Sequence, residues 1–95
     1  MKASGRLIEK LDILDNMHPN DLEVLKESFD MMRATDGNLC ATYSPDHRLY
    51  DHAYKIAKTY SLGTCVFADQ TYSIRLNSNG IKLAKLYELY EEIIF

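Results

Sequence analysis

What this sequence lacks removes several classes of protein at the outset. It has no apolar run long enough to cross a bilayer; the longest near either end is Ile93-Ile94-Phe95. Its opening stretch, MKASGRLIEKLDILD, alternates charged with apolar residues and has no uninterrupted apolar core of a secretory signal. A cytoplasmic protein without membrane contact is therefore expected. Cysteine occurs only at Cys40 and Cys65. Without export, two thiols are expected to stay reduced and to act as small hydrophobic side chains rather than as a disulfide. The four glycines, Gly5, Gly37, Gly63 and Gly80, are too scattered for a phosphate-cradling loop. No repeat and no low-complexity stretch is present. No nucleophile–base arrangement can be assembled from the spacings, so no catalytic residue, no enzymatic activity and no cofactor is expected.

What is present suits one small folded domain over residues 1–95. Hydrophobic residues make up 46% and charged residues 26% of the 95, enough for one modest core and too apolar for a disordered chain. The formal net charge is −3, unevenly spread. Residues 1–43 hold five basic and eight acidic side chains, residues 44–85 six and three, and residues 86–95 none and three. A basic middle between acidic ends is compatible with an anionic partner for the middle segment.

The periodicity predicts an α+β domain of three N-terminal helices, a two-stranded antiparallel hairpin and a C-terminal amphipathic helix. Residues 4–16 carry Leu7, Ile8, Leu11 and Leu14 at helical spacing, with Ser4 as a cap, and end before His18-Pro19. A second helix is expected from Asn20, which caps it together with Glu23; its stripe is Leu22, Leu25, Phe29 and Met32, and Asp36-Gly37 closes it. Leu39 to Tyr43 reads as a minor edge strand or an extended loop. Ser44-Pro45-Asp46 has the composition of a helix start, followed by a stripe of Leu49, Ala53, Ile56, Ala57 and Tyr60. Cys65 to Phe67 and Tyr72 to Leu76 are the clearest strands, with Tyr72, Ile74 and Leu76 on one face and Ser73 and Arg75 on the other. The last helix begins near Gly80, with Leu83, Leu86, Tyr87, Tyr90, Ile93 and Ile94 on one stripe. Its lysines lie near its start and its glutamates near its end, against the helix macrodipole, so packing must hold it. Leu25, Phe29, Ile56, Ile74, Leu83 and Leu86 are the expected core.

The run TYSIRLNSNGIKLAKL, through Ile74, Leu76, Asn77, Gly80, Leu83 and Ala84, resembles the end of winged-helix domains. The resemblance covers about residues 64–94. It implies a helix-turn-helix whose second helix enters the major groove and a hairpin that touches the backbone. Upstream the pattern departs, because the segment from Ala34 to Ser44 is too long for the turn of a helix-turn-helix. Either the helices are arranged differently or a short helix lies within that segment.

Two functions compete. As a DNA-binding regulator of winged-helix type, the chain would place Arg48, Lys55 and Lys58 of the third helix and Arg75 of the hairpin on phosphates of double-stranded DNA, with His47 and Tyr54 near bases. Alternatively it is a protein-binding module or inhibitor, of the kind mobile elements or phages encode against a host machine, with an acidic surface that mimics nucleic acid. Its last helix could then dock or form a homodimer through Leu86, Leu89, Tyr90, Ile93 and Ile94. The seven tyrosines, all from Tyr43 onward, suit half-buried and interface positions. His47 and Asp51 share a helical face and His52 points elsewhere; with Cys40 and Cys65 their spacings match no metal pattern, and no metal is expected.

Overall fold

The computed structural model describes residues 10–94, and for residues 93 and 94 the backbone alone. Ser4, Leu7 and Ile8 of the expected first helix lie outside the described residues. Among the described residues the helix, α1, covers 10–16 and buries Leu14. It stops before Pro19, as the restriction on the residue before proline requires.

The second helix, α2 (Pro19–Ala34), starts one residue earlier than expected. Proline occupies its first turn and His18 caps it, with Nδ1 accepting from the Asn20 amide at 3.0 Å. Asn20 is therefore not the cap. Its side chain is turned instead toward the His52 ring. Asp21, Val24, Leu25, Ser28 and Phe29 are the buried residues of α2, while Leu22 and Met32 are only partly covered. The buried stripe is thus rotated from the expected one and carries a carboxylate. Beyond Ala34 the Gly37 amide donates to the Met32 carbonyl at 2.7 Å, with Gly37 at φ 82° closing the helix as a C-terminal glycine does.

Among the described residues the sheet has three strands, not two. β1 (Ala41–Tyr43) pairs antiparallel with β3 (Thr71–Leu76), which pairs antiparallel with β2 (Gly63–Ala68), in the order β1-β3-β2. The stretch from Ala34 to Ser44 therefore holds a strand and no hidden helix. Ala41 and Tyr43 are buried and Thr42 is exposed, the alternation of a strand covered on one face. Asp69 and Gln70 close the hairpin, both in the left-handed region at φ 52° and 63°. That is the two-residue turn whose twist matches paired strands.

The expected third helix is broken. Residues 44–49 form turns, followed by α3 (Tyr50–Ala53) and α4 (Lys55–Lys58), which are separated by Tyr54. Ser44 does not cap a helix: its hydroxyl donates to Asp46 at 2.6 Å, and His47 Nδ1 accepts from the Leu49 amide at 3.0 Å. Such local side-chain bonds offer the backbone an alternative to the helix. The apolar spacing still holds, with Leu49, Ala53 and Ile56 fully buried.

The last helix, α5 (Ser78–Ile94), begins two residues before Gly80. Asn77 caps it by accepting from the Gly80 amide at 2.9 Å. Glycine is required at residue 80, since a Cβ there would lie 2.1 Å from the Leu62 carbonyl oxygen. The misplaced glutamates of α5 find partners on α2. Glu91 accepts from Lys26 at 3.1 Å, and Glu88 accepts from both terminal nitrogens of Arg33, at 2.7 and 3.1 Å. The core forms between one sheet face and the helices, with Tyr43, Ile74 and Leu76 meeting Leu25, Phe29, Leu49, Ile56 and Leu83. Five of the six expected core residues are buried, and Leu86 is half-buried. The other sheet face, with Thr42, Thr64, Val66, Ala68 and Arg75, is open.

Candidate functional site

Two constellations stand out, one a groove and one a buried polar cluster. The groove follows from the hairpin register. Cys65 lies opposite Ile74, and Phe67 opposite Tyr72, so all four share the core-side face of the sheet. Helix α4 packs against β2, yet Phe67 near the hairpin tip remains 56% exposed. Its ring tilts against Tyr72 with centroids 4.9 Å apart. Tyr72 in turn meets Tyr50 at 4.9 Å and Tyr54 at 6.2 Å. Tyr54, Lys58, Cys65, Phe67 and Tyr72 line an open groove of about 450 Å³. Burial pushes the Cys65 thiol up, and the nearby Lys58 charge works against that shift. That shift favours the protonated thiol of Cys65 at neutral pH. The groove can stack apolar or aromatic groups and neutralise a negative charge.

The second constellation centres on Asp21, 1% exposed. One carboxylate oxygen is 2.7 Å from His52 Nδ1, and the other accepts from the Tyr60 hydroxyl at 2.6 Å. With a proton on Nδ1, the far nitrogen of His52 is an acceptor for the Asn20 amide at 3.3 Å. The His18 ring stacks on His52 at 4.9 Å. Burial first, and then the bond to Asp21, pushes the Tyr60 hydroxyl up to about 12. Both ring nitrogens of His52 and both oxygens of Asp21 are thus engaged. The cluster ties the start of α2 to α3 and to the segment after α4. Sequence reasoning misses it. The one available signal is Asp21 itself, which falls in line with Leu25 and Ser28 on the buried side of α2.

The residues expected to contact DNA are dispersed. Tyr54 and Lys58 meet at the groove. Lys55 is half-buried on α4. Arg48 is paired with Glu23 of α2. Arg75 lies on the opposite face of the sheet and donates to the Gly37 carbonyl at 2.9 Å. His47 is exposed, with its ring edge-on to Tyr43 at 5.0 Å. On α5, Leu86 packs against the domain's own core and Tyr90 reaches Asp15 at 3.4 Å, while Leu89 is 57% exposed. The side chains of Ile93 and Ile94 lie outside the described residues. Among the described residues, no group of three or more His, Cys, Asp or Glu side chains is placed to hold a metal ion, and no helix is long and apolar enough to cross a membrane. Comparison with protein-family models, curated proteins and solved structures finds no match to this chain.

Proposed function

We propose that the chain is a non-catalytic binding module that docks a protein partner in the groove between α4 and the hairpin. The supporting observation is that Phe67 and Val66 are 56% and 61% exposed on the two faces of one strand, beside Tyr54, Tyr72 and Lys58. Aromatic side chains, tyrosine among them, are frequent anchors of protein interfaces. The acidic balance of the chain agrees with this reading, because affinity for nucleic acid rests on neutralised phosphates. The test is selection of displayed random peptides against the immobilised chain, with Phe67→Ser as the counter-target. Peptides retained by the wild type and lost by Phe67→Ser, with resonance shifts at Tyr54, Cys65 and Tyr72, bear the reading out. Binding indifferent to Phe67, or none at all, rejects it.

A second reading, DNA binding of winged-helix type, draws on one observation: Tyr54 and Lys58 share a surface with the hairpin. It would use the single-turn helices α3 and α4 in place of a longer recognition helix. It requires duplex binding that weakens as salt rises. Charge-neutral replacement of Lys55 or Lys58 should then flatten the salt slope by about one unit for each phosphate no longer neutralised. A homodimer through α5 draws on the exposed Leu89.

A further inference from the structure

We infer that the partner adds an extended, acidic segment to the free edge of β2 as a fourth strand. This rests on the groove being a protein-docking surface, and it specifies the mode of docking and the chemistry of the segment. Among the described residues β2 ends the sheet and has one neighbouring strand only, while α4 packs against it. The two-residue turn makes Ala68 and Thr71 a bonded pair, and the register then does the same for Val66 with Ser73 and for Thr64 with Arg75. The backbone groups of Gly63, Cys65 and Phe67 consequently point away from β3, and no turn, loop or side-chain bond among the described residues reaches them.

An edge of this kind is normally protected by a charge, a proline, a bulge or a covering element. β2 reads Gly-Thr-Cys-Val-Phe-Ala, without charge or proline, and its register with β3 runs unbroken over all six pairs. The other edge differs. β1 has three residues, of which only Thr42 turns its backbone outward, and Glu27 and Asp30 stand beside it. Among the described residues strand addition thus has one suitable edge, and its backbone row runs beside the aromatic groove.

Charge decides what the strand carries. Among the described residues Lys58 is the one charged side chain lining the groove, and no carboxylate lines it. Alternate side chains of an added strand would lie on the groove side, where a carboxylate meets Lys58, and on the open side against Val66, where an aliphatic group fits. A second copy pairing β2 with β2 would instead bring two Lys58 grooves together across the two-fold axis.

The experiment uses the full chain and short peptides of alternating Asp and Val, the same peptides with Lys for Asp, and the Asp peptides N-methylated at alternate residues. Binding is followed by NMR titration and amide exchange. The expected result is that the Asp peptide binds, that the Cys65 and Phe67 amides become protected from exchange, and that N-methylation weakens binding by about tenfold or more. Lys58→Glu should exchange the preference for Asp peptides for one for Lys peptides. Equal binding of the N-methylated peptide, or no preference between Asp and Lys, overturns the inference while leaving protein docking at Phe67 standing. A free chain that is dimeric with these amides already protected assigns the edge to a second copy and also overturns it. If the display selection yields no Phe67-dependent peptide, the docking reading itself fails.

Discussion

A methyl group added at residue 80 would sit 2.1 Å from the Leu62 carbonyl oxygen, and that backbone atom has no room to retreat because it also accepts the Asn77 amide at 3.0 Å. Alanine is the better helix former by about 1 kcal/mol, but the clash should prevail. Gly80→Ala is expected to cost about 1–3 kcal/mol in urea denaturation. Gly37→Ala meets no atom within 4 Å, yet its φ of 82° should cost about 1–2 kcal/mol by the same measurement. Asp21 raises a different issue, since two donors depend on one buried carboxylate. Asp21→Ala strands both the His52 Nδ1 proton and the Tyr60 hydroxyl, and should cost about 2–4 kcal/mol. Tyr60→Phe should cost less, because Asp21 keeps its bond to His52 and only one bond of the cluster is lost. Equal losses in the two variants would show that Asp21 serves Tyr60 alone.

The helices with a clear 3.6-residue period are legible in the sequence, and so is the hairpin with its period of two. The register of the buried face is less so. Helix α2 turns Asp21 inward because His52 and Tyr60, 31 and 39 residues away, supply its partners, and no local pattern records such a pairing. The third helix misleads for a local reason: Ser44 and His47 have the composition of a helix start but engage their side chains within the turn. Burial also separates two residues that the spacing treats alike. Phe29→Ala should cost about 3–5 kcal/mol and Leu86→Ala clearly less, since Phe29 is buried and Leu86 half-buried. Between α2 and α5, the bond to Glu91 holds Lys26 above the usual lysine range. The pair is partly solvated, at 43% and 30% side-chain exposure. Glu91→Gln should therefore cost no more than about 1 kcal/mol at low salt and nearly nothing at high salt.

For the molecule as a whole, two phenols set an upper pH limit. Tyr60 bonds to Asp21, and Tyr43 donates to Glu27 at 2.9 Å; both are held above the ordinary value of 10.0, burial being the first cause in each. Their folded state prefers the neutral phenol. The stability they contribute is complete below pH 10 and is lost as pH rises through the folded value, about 12 for Tyr60. The denaturation midpoint should fall from pH 10 upward, and more gently in Tyr60→Phe. A midpoint flat to pH 12 would contradict this. The candidate groove is only partly legible in the sequence. Tyr54 and Lys58 stand out by residue type, but Phe67 reads as strand interior, because nothing in its neighbours shows how far α4 reaches. Arg48 looks free in the sequence because Glu23, its partner, belongs to a helix 25 residues away. Finally, the hairpin tip offers an engineering handle. Asp69 and Gln70 hold left-handed backbones without being glycine. Replacing them with Asn and Gly, the pair such a turn favours, should return about 1 kcal/mol or more without touching the groove. That would supply a suppressor background, in which damaging groove variants stay folded and a failure to bind can be told from a failure to fold.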